Sequence, residues 1–358
     1  MFLKRHFKPL LELKIFQANV DLNNINNIII QNQYGIWSYQ VNFKKIIYQK
    51  VFYIEENPSN NLSISFNLCE FLLAISQIHG SQQSFNILDT GEIVIYRKKD
   101  NILLNTIKLS SIKVQSFMFE NRDFLDSIKN KKNLIKLCQA CKRFSNELDY
   151  YTGFNRIALF VDNDLRFFST DGLHSLEFLL SESIQNNSKN KSFYLGDDFQ
   201  QSQDYIKILE NFLTFSSNEK LEVEISQTSL SIQNNNEKIV LPLSKNNEFN
   251  SSQDIYDEKS NDYSLLTSKN IKSILEVLSK KSISQYRKKN NIKEPYKTTC
   301  EITDNFFNFN NEKIEIFKTN KGFSKIICVY HLVEFLNSEE EYKLYNDRLE
   351  GIMSILYF

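Results

Sequence analysis

The stretch Leu165–Leu176 reads LRFFSTDGLHSL, an apolar run that ends in a Thr-Asp-Gly turn. The run Arg156–Val161 precedes it, and Asp-Asn-Asp at 162–164 separates the two. Short apolar runs joined by Asp and Asn are typical of a β-hairpin. Upstream, Lys132–Phe144 carries apolar residues at helical spacing. The middle of the chain is therefore predicted to form a helix followed by a hairpin.

This order of a helix and then short strands recurs in each third of the chain. The first third has a helical pattern around Phe7–Ile15 and the last third has one over Leu265–Ile283, each followed by short apolar runs. The C-terminal stretch Gly351–Phe358 is predicted to be a final strand. The pattern predicts an α+β fold of three domains, with helices packed on antiparallel sheets. The predicted domains are 1–114, 115–250 and 251–358.

The amino-acid composition limits the classes of protein to which the chain can belong. The 358 residues are 41% hydrophobic and 24% charged, as in soluble globular proteins. Lys and Arg together number 43, as do Asp and Glu, so a nucleic-acid surface would require charge segregated on one face. Five scattered cysteines and an N-terminus without a signal-peptide pattern predict a reducing, intracellular compartment. The apolar runs are too short to span a bilayer, so no membrane role is predicted.

Two short motifs resemble catalytic or metal-binding sequences. Asp89-Thr90-Gly91 resembles an aspartic protease loop, but that chemistry needs two carboxylates sharing a proton, and a hairpin turn is favoured. Cys138 and Cys141 lie on the apolar face of the predicted helix without a second close pair, which favours core packing over zinc. The four histidines have no metal-ligand or triad spacing. No enzyme activity, catalytic residue, cofactor or metal is predicted.

Basic residues cluster on the predicted helices, or just after them, in equivalent places in the repeats. One basic stripe is more often a solvated helix face, but stripes in equivalent repeats could share a concave surface and contact phosphates without reading bases. In the last third, Arg287–Lys289 and Lys293 are predicted to form a basic connector after the helix. The predicted DNA-facing residues are Lys132, Lys136, Lys142, Arg143, Tyr150, Tyr151, Lys280, Lys281 and Arg287.

The segment Phe144–Leu176 resembles the middle domain of bacterial DNA polymerase III β clamps, where a helix, a loop, a hairpin and a Thr-Asp-Gly-His-Arg-Leu motif follow one another. The specific part is Thr170–Leu176, and a looser resemblance covers most of the chain. It implies that two chains of three domains form a homodimer, a six-domain ring around duplex DNA with helices inside and sheets outside. It also implies a sliding clamp, a processivity factor that tethers polymerase and other replication or repair proteins without sequence specificity.

The family's partner pocket is an apolar cleft that accepts short peptides from DNA polymerases and the clamp loader. The resemblance assigns to it Phe154, Thr170, Gly172, Leu173, His174, Leu176, Pro242, Ser354, Ile355, Leu356 and Tyr357. The chain departs from the family pattern, because Leu173 stands where the family has His, His174 where it has Arg, and Ser175 where it has Leu. The hairpin end is expected to meet the last strand and to leave the cleft open for a partner's Leu or Phe.

Two other interpretations remain. One is a clamp-derived scaffold subunit of a polymerase or transcription complex that does not close a ring. The other is an enzyme, which the positions of the carboxylates, histidines and cysteines do not support. The expected location is the cytoplasm, in association with the nucleoid, or the equivalent compartment of an organelle or a phage-infected cell.

Overall fold

The structure is a computed structural model. It describes residues 2–12, 26–33, 36–43, 45–53, 62–115, 117, 128, 131–144, 155–162, 164–171, 174–182, 191–216, 221–246, 263–303, 305–316, 323–345 and 347–357. These residues form α-helices and antiparallel strands, so the predicted α+β class is confirmed. Within these ranges, no helix has both the length and the apolar character needed to cross a membrane.

The secondary-structure elements are numbered in chain order. The helices are α1 (Lys8–Glu12), α2 (Leu68–Ser76), α3 (Lys131–Phe144), α4 (Phe199–Phe215), α5 (Ser268–Val277), α6 (Lys280–Lys289) and α7 (Val329–Leu336). Short 3-10 helices cover Lys4–Phe7 and Pro295–Lys297.

The strands of the N-terminal half are β1 (Asn27–Gln33), β2 (Ile36–Phe43), β3 (Ile46–Tyr53), β4 (Leu62–Asn67), β5 (Gln83–Ile87), β6 (Glu92–Arg97), β7 (Leu103–Lys108), β8 (Ser111–Lys113), β9 (Ala158–Val161), β10 (Leu165–Thr170) and β11 (Ser175–Ser181). Those of the C-terminal half are β12 (Lys191–Leu195), β13 (Glu222–Ile225), β14 (Ser229–Gln233), β15 (Glu237–Lys245), β16 (Ser264–Leu266), β17 (Thr299–Thr303), β18 (Phe306–Phe309), β19 (Glu312–Glu315), β20 (Ser324–Cys328), β21 (Tyr342–Leu344), β22 (Arg348–Glu350) and β23 (Ser354–Tyr357).

The chain folds as two compact units, and the first combines Met1–Ser127 with Asn211–Pro242. Its larger sheet has the order β13-β14-β15-β3-β2-β1-β4-β8, and a smaller one has the order β5-β6-β7. Phe7 and Phe85 are fully buried in an aromatic cluster between the sheets and the first helices. Burial of such rings is the main term that stabilises this unit.

The second unit combines Ile128–Glu210 with Leu243–Phe358. Its larger sheet has the order β16-β21-β22-β23-β11-β10-β9-β12, to which the last residues of β15 add, and a smaller sheet has the order β19-β18-β17-β20. Helix α3 packs its buried face on β10, β11 and α7. This packing places the end of the β10–β11 hairpin beside α7. The three predicted domain ranges, 1–114, 115–250 and 251–358, stay a prediction.

Several local predictions are confirmed. Strands β9 and β10 pair antiparallel across residues 162–164, and α3 covers the predicted helix. The motif at 89–91 is the turn between β5 and β6, where Gly91 has a φ of 86° that favours glycine. Cys138 and Cys141 are buried on α3, and burial raises the pKa of the Cys141 thiol to about 12. Packing, not thiolate chemistry, fits that environment.

The prediction of a single helix over Leu265–Ile283 is wrong. The chain forms β16, then α5, and a new helix begins after Ser279, whose hydroxyl accepts a hydrogen bond of 3.3 Å from the backbone N–H of Ser282. The predicted basic connector at Arg287–Lys289 is therefore the last turn of α6. In the first third, α1 ends at Glu12, and residues 13–25 lie outside the described residues.

The prediction of one final strand over Gly351–Phe358 is also wrong, because β22 and β23 are joined by a bend after Gly351. The Glu339 carboxylate causes the bend by accepting hydrogen bonds from the backbone N–H groups of Ile352 and Met353. A Cβ at Gly351 would stand 2.5 Å from Oε1 of Glu339, so a larger residue there would displace the carboxylate that holds the bend. Phe358 lies outside the described residues.

Candidate functional site

The end of the β10–β11 hairpin is held by hydrogen bonds across its loop. The Thr170 hydroxyl donates to the carbonyl of His174 at 2.9 Å, and the backbone N–H of His174 donates to Oδ1 of Asp171 at 2.7 Å. An Asp side chain that bonds its own backbone a few residues on is a common way to fix a turn. The Thr-Asp-Gly motif thus sets the position of the Asp171 carboxylate and the His174 ring.

Strand β11 continues from this loop and pairs with the C-terminal strand β23. Ser175 stands opposite Tyr357 and Leu176 opposite Leu356 in an antiparallel register. The sheet therefore brings together the two segments that the sequence assigned to the partner pocket. The hydroxyl of Tyr357 also donates to Oε2 of Glu177 at 3.4 Å.

The described residues of the predicted pocket are buried in this sheet. Leu176 is 0% exposed, and the others in the second unit are buried too: Thr170, His174, Ser354, Ile355, Leu356 and Tyr357. Pro242 belongs to the first unit, where it stands opposite Ser229 on β14. Phe154, Gly172 and Leu173 lie outside the described residues. The buried side chains support the sheet, so any surface offered to a peptide comes from their neighbours.

Two exposed apolar residues that the sequence analysis missed lie next to this sheet. Ile326 on β20 is 67% exposed, and its carbonyl contacts Nε2 of His174 at 3.3 Å. Ile352, in the bend before β23, is 91% exposed. Ile326 thus adjoins the start of β11 and Ile352 the start of β23, so both are candidates for a contact surface. The only sequence signal was the place of Ile352 at the start of the predicted final strand.

The hairpin loop also forms a polar cluster with helix α7. Oδ2 of Asp171 lies 3.4 Å from Nδ1 of His331, and Oδ1 lies 3.9 Å from Nδ1 of His174. The ring of His331 stacks on Phe144 of α3, with the ring centroids 4.3 Å apart. Burial lowers the pKa of His331, although Asp171 acts in the opposite direction. Sequence spacing could not predict this cluster, because its members come from distant segments.

The basic residues of α3 are engaged by neighbouring polar groups. Lys142 pairs with Glu210 of α4 at 2.5 Å and Arg143 pairs with Glu334 of α7 at 3.0 Å. These four residues line one groove together with Gln139, so the groove has no net charge. Nζ of Lys136 donates to the carbonyl of Asn337 at 2.5 Å.

Of the predicted DNA-facing residues around α3, Lys132 is exposed. Tyr150 and Tyr151 lie outside the described residues.

The basic residues of α6 are arranged differently. Its sequence KKSISQYRKK contains no acidic residue, and four of its lysines are exposed: Lys280, Lys281, Lys288 and Lys289. For these four, no ion pair is found within the described part of the chain. Ile283 is buried, and Tyr286 packs on Phe309 of β18, with the ring centroids 4.9 Å apart.

Arg287 is the exception on α6. Its guanidinium donates to the carbonyls of Ile292 and Lys293 and to the hydroxyl of Tyr330. These bonds tie the end of α6 to the following turn and to α7. The predicted DNA-facing residue Arg287 thus holds its own helix in place.

No family model matches the sequence. No curated protein matches it. Among solved structures, the Helicobacter pylori β clamp bound to a DNA ligase peptide aligns with a TM-score of 0.66 at 12% sequence identity, covering 100% of this chain and 98% of that chain. The chain has the fold of a bacterial β clamp.

Two more solved structures support the β-clamp fold. The β subunit from DNA polymerase of Streptococcus pyogenes has a TM-score of 0.65 at 13% identity, covering 100% of this chain and 98% of that chain. The DNA polymerase III β subunit from Pseudomonas aeruginosa has a TM-score of 0.63 at 11% identity, covering 99% of this chain and 97% of that chain. The recognition made from the hairpin motif is therefore confirmed for the fold.

Proposed function

We propose that the chain is a DNA sliding clamp that encircles duplex DNA and tethers a DNA polymerase and other replication or repair proteins. The observation that carries the proposal is the β-clamp fold, which extends over the whole chain and nearly the whole of each solved clamp. Fold alone does not determine function, so the proposal also requires surfaces that contact DNA, a partner peptide and a second copy of the chain. Tethering of this kind makes and breaks no covalent bond.

The DNA-facing surface is proposed to centre on α6. Four exposed lysines without an acidic neighbour on the same helix would attract phosphates of any sequence. Lys132 of α3 would add to this surface. Lys136, Lys142 and Arg143 would contribute less, because they already have acceptors in the protein.

The partner-peptide surface is proposed to lie around the β11–β23 pair. The Helicobacter pylori clamp was solved with a DNA ligase peptide, which supports a peptide-binding role for the same fold here. Ile326 and Ile352 would present apolar side chains to a Leu or Phe of the peptide.

The variant I326D tests this surface because Ile326 is exposed. An Asp at Leu176, a predicted pocket residue that is buried, would disrupt the core and could not separate peptide binding from folding. A polymerase-derived peptide should bind I326D at least tenfold more weakly than the parent chain in fluorescence anisotropy. Equal binding would remove Ile326 from the surface.

Ring closure is proposed to use β7, an edge strand of the β5-β6-β7 sheet. Leu103 is 57% exposed, and Ile102 and Leu104 beside it are exposed too. An apolar edge strand is a ready site for pairing with another chain, and a second copy would bury it in a closed dimer. The alternative, a clamp-derived scaffold without a ring, would leave this edge to a different protein.

Native mass spectrometry and negative-stain electron microscopy of the full chain test the proposal. We expect a dimer that forms closed rings, and L103D/L104D should give a folded monomer because both side chains are on the surface. A control with the same charge change at exposed polar positions off β7, S81D/Q82E in the turn before β5, should remain dimeric. A parent chain that is monomeric at micromolar concentration would contradict the ring and favour the scaffold.

A further inference from the structure

The side chains of Asp171, His174 and His331 form a largely buried cluster beside the proposed peptide surface, and their chemistry is not explained by DNA or peptide binding. Asp171 and His174 come from the β10–β11 loop and His331 comes from α7. One nitrogen or oxygen atom from each residue lies within 4.8 Å of those from the other two. His174 is 8% exposed and His331 is 6% exposed, so the cluster is largely shielded from water.

The orientation of each ring is fixed by a backbone carbonyl. Nε2 of His174 contacts the carbonyl of Ile326 at 3.3 Å, and Nε2 of His331 contacts that of Arg143 at 3.2 Å. A carbonyl oxygen only accepts hydrogen bonds, so each Nε2 carries the hydrogen. In a neutral imidazole the lone pair then lies on Nδ1.

Both Nδ1 atoms lie near the Asp171 carboxylate. The distances are 3.4 Å for His331 and 3.9 Å for His174. Neither Nδ1 atom makes a hydrogen bond within the residues that the structure describes. A carboxylate is itself an acceptor, so two imidazole nitrogens and two carboxylate oxygens lie close together in a buried space. Such an arrangement is costly unless a metal ion lies among them or one imidazole takes up a proton.

We propose that Asp171, His174 and His331 bind a divalent transition-metal ion of the zinc class. Two imidazole nitrogens and one carboxylate oxygen are ligands that zinc prefers. The carbonyls of Ile326 and Arg143 would serve as the outer partners that orient metal-bound histidines. This assignment does not depend on the clamp function.

The distances fit this class of ion. Tetrahedral zinc with bonds of about 2.0–2.1 Å places its ligand atoms about 3.3–3.4 Å apart. The 3.4 Å distance from Oδ2 of Asp171 to Nδ1 of His331 already equals such an edge. Nδ1 of His174 lies 3.9 Å from Oδ1 of Asp171, so an ion would draw this ring closer to the other two ligands. Three protein ligands leave a fourth position for water or for a group from a partner. The ion would fasten the hairpin loop to α7.

Zinc titration of the full chain, first freed of metal with a chelator, tests the site. We expect one zinc ion per chain by isothermal titration calorimetry and elemental analysis. Zinc should also raise the unfolding temperature, because it binds only the folded state. D171N and H331Q should each weaken binding at least 100-fold and abolish the thermal shift.

Two features keep this test decisive. Asn at position 171 retains an oxygen that can accept the His174 backbone N–H, so D171N should fold even if H331Q does not. The control is H79Q, which removes an exposed histidine outside the cluster and should bind zinc as the parent does. The assignment is overturned if the parent binds no stoichiometric zinc, or if folded D171N binds zinc as tightly as the parent.

Discussion

Helices α3 and α6 carry similar numbers of basic residues but differ in what surrounds them. On α3, Lys142 and Arg143 face Glu210 and Glu334 across a groove with no net charge. On α6, the four lysines are exposed, and the helix contains no acidic residue. The difference teaches that a count of Lys and Arg does not measure the potential of a helix, because carboxylates from distant segments can cancel it.

The largest effect is expected from reversing the exposed charges of α6. K280E/K281E/K288E/K289E should weaken duplex binding at least 100-fold at low salt. It should also lower the slope of log affinity against log salt by about 3 to 4, since each lost phosphate contact removes about 0.9. Fluorescence anisotropy over a salt series measures both quantities, and similar losses on unrelated duplexes are expected.

A matched pair of double variants controls for net charge. K98E/K99E changes two exposed lysines in the turn between β6 and β7, as K280E/K281E does on α6. Only the α6 pair should weaken binding. If the two pairs behave alike, the α6 surface has no special role and the contrast between the helices disappears.

Arg287 is expected to act as a structural residue although it lies on α6. Its guanidinium makes hydrogen bonds to two carbonyls and to Tyr330, so R287A should lower the free energy of unfolding by about 1–3 kcal/mol. The salt slope of DNA binding should change by less than about 1. Urea denaturation and the same anisotropy series measure these effects. A stable R287A with a strongly reduced salt slope would place Arg287 on the DNA surface.

The smallest effect is expected from releasing a lysine of α3. E210Q removes the carboxylate that pairs with Lys142. The surface of α3 then gains a positive charge that is not cancelled, as on α6, and duplex affinity should rise about two- to fivefold. Loss of this partly buried pair should cost about 1 kcal/mol of stability. E334Q, which releases Arg143, should behave in the same direction. Unchanged or weaker DNA binding by both variants would mean that α3 does not face the duplex.

Sequence patterns predicted the parts of the fold that depend on local periodicity. The helix at α3 and the hairpin at β9–β10 follow from apolar spacing and Asp-Asn turn chemistry. The break before α6 was missed because Ser279 also fits a helix interior, and the bend after Gly351 was missed because Glu339 causes it from a distance. Each error comes from a hydrogen bond that periodicity does not encode.

The site was less predictable than the fold. The hairpin motif did identify the loop that holds Asp171 and His174, and the C-terminal segment does pair with β11. Burial of Leu176 and Leu356 was not foreseen, because it depends on what packs on the faces of the sheet, and helix α3, which packs on β11, comes from another segment. The pairing of Lys142 with Glu210 and the approach of His331 to Asp171 likewise join segments far apart in the chain.

Topological retention on DNA tests the central claim most directly. Chains would be diluted to monomers, reconcentrated in the presence of closed circular DNA so that dimers form around it, and then washed in high salt, which removes electrostatic binding. The account predicts that the protein stays with the circles and is released when a restriction enzyme linearises them. Protein that never resists the salt wash, or that stays bound after the DNA is cut, would contradict a sliding clamp.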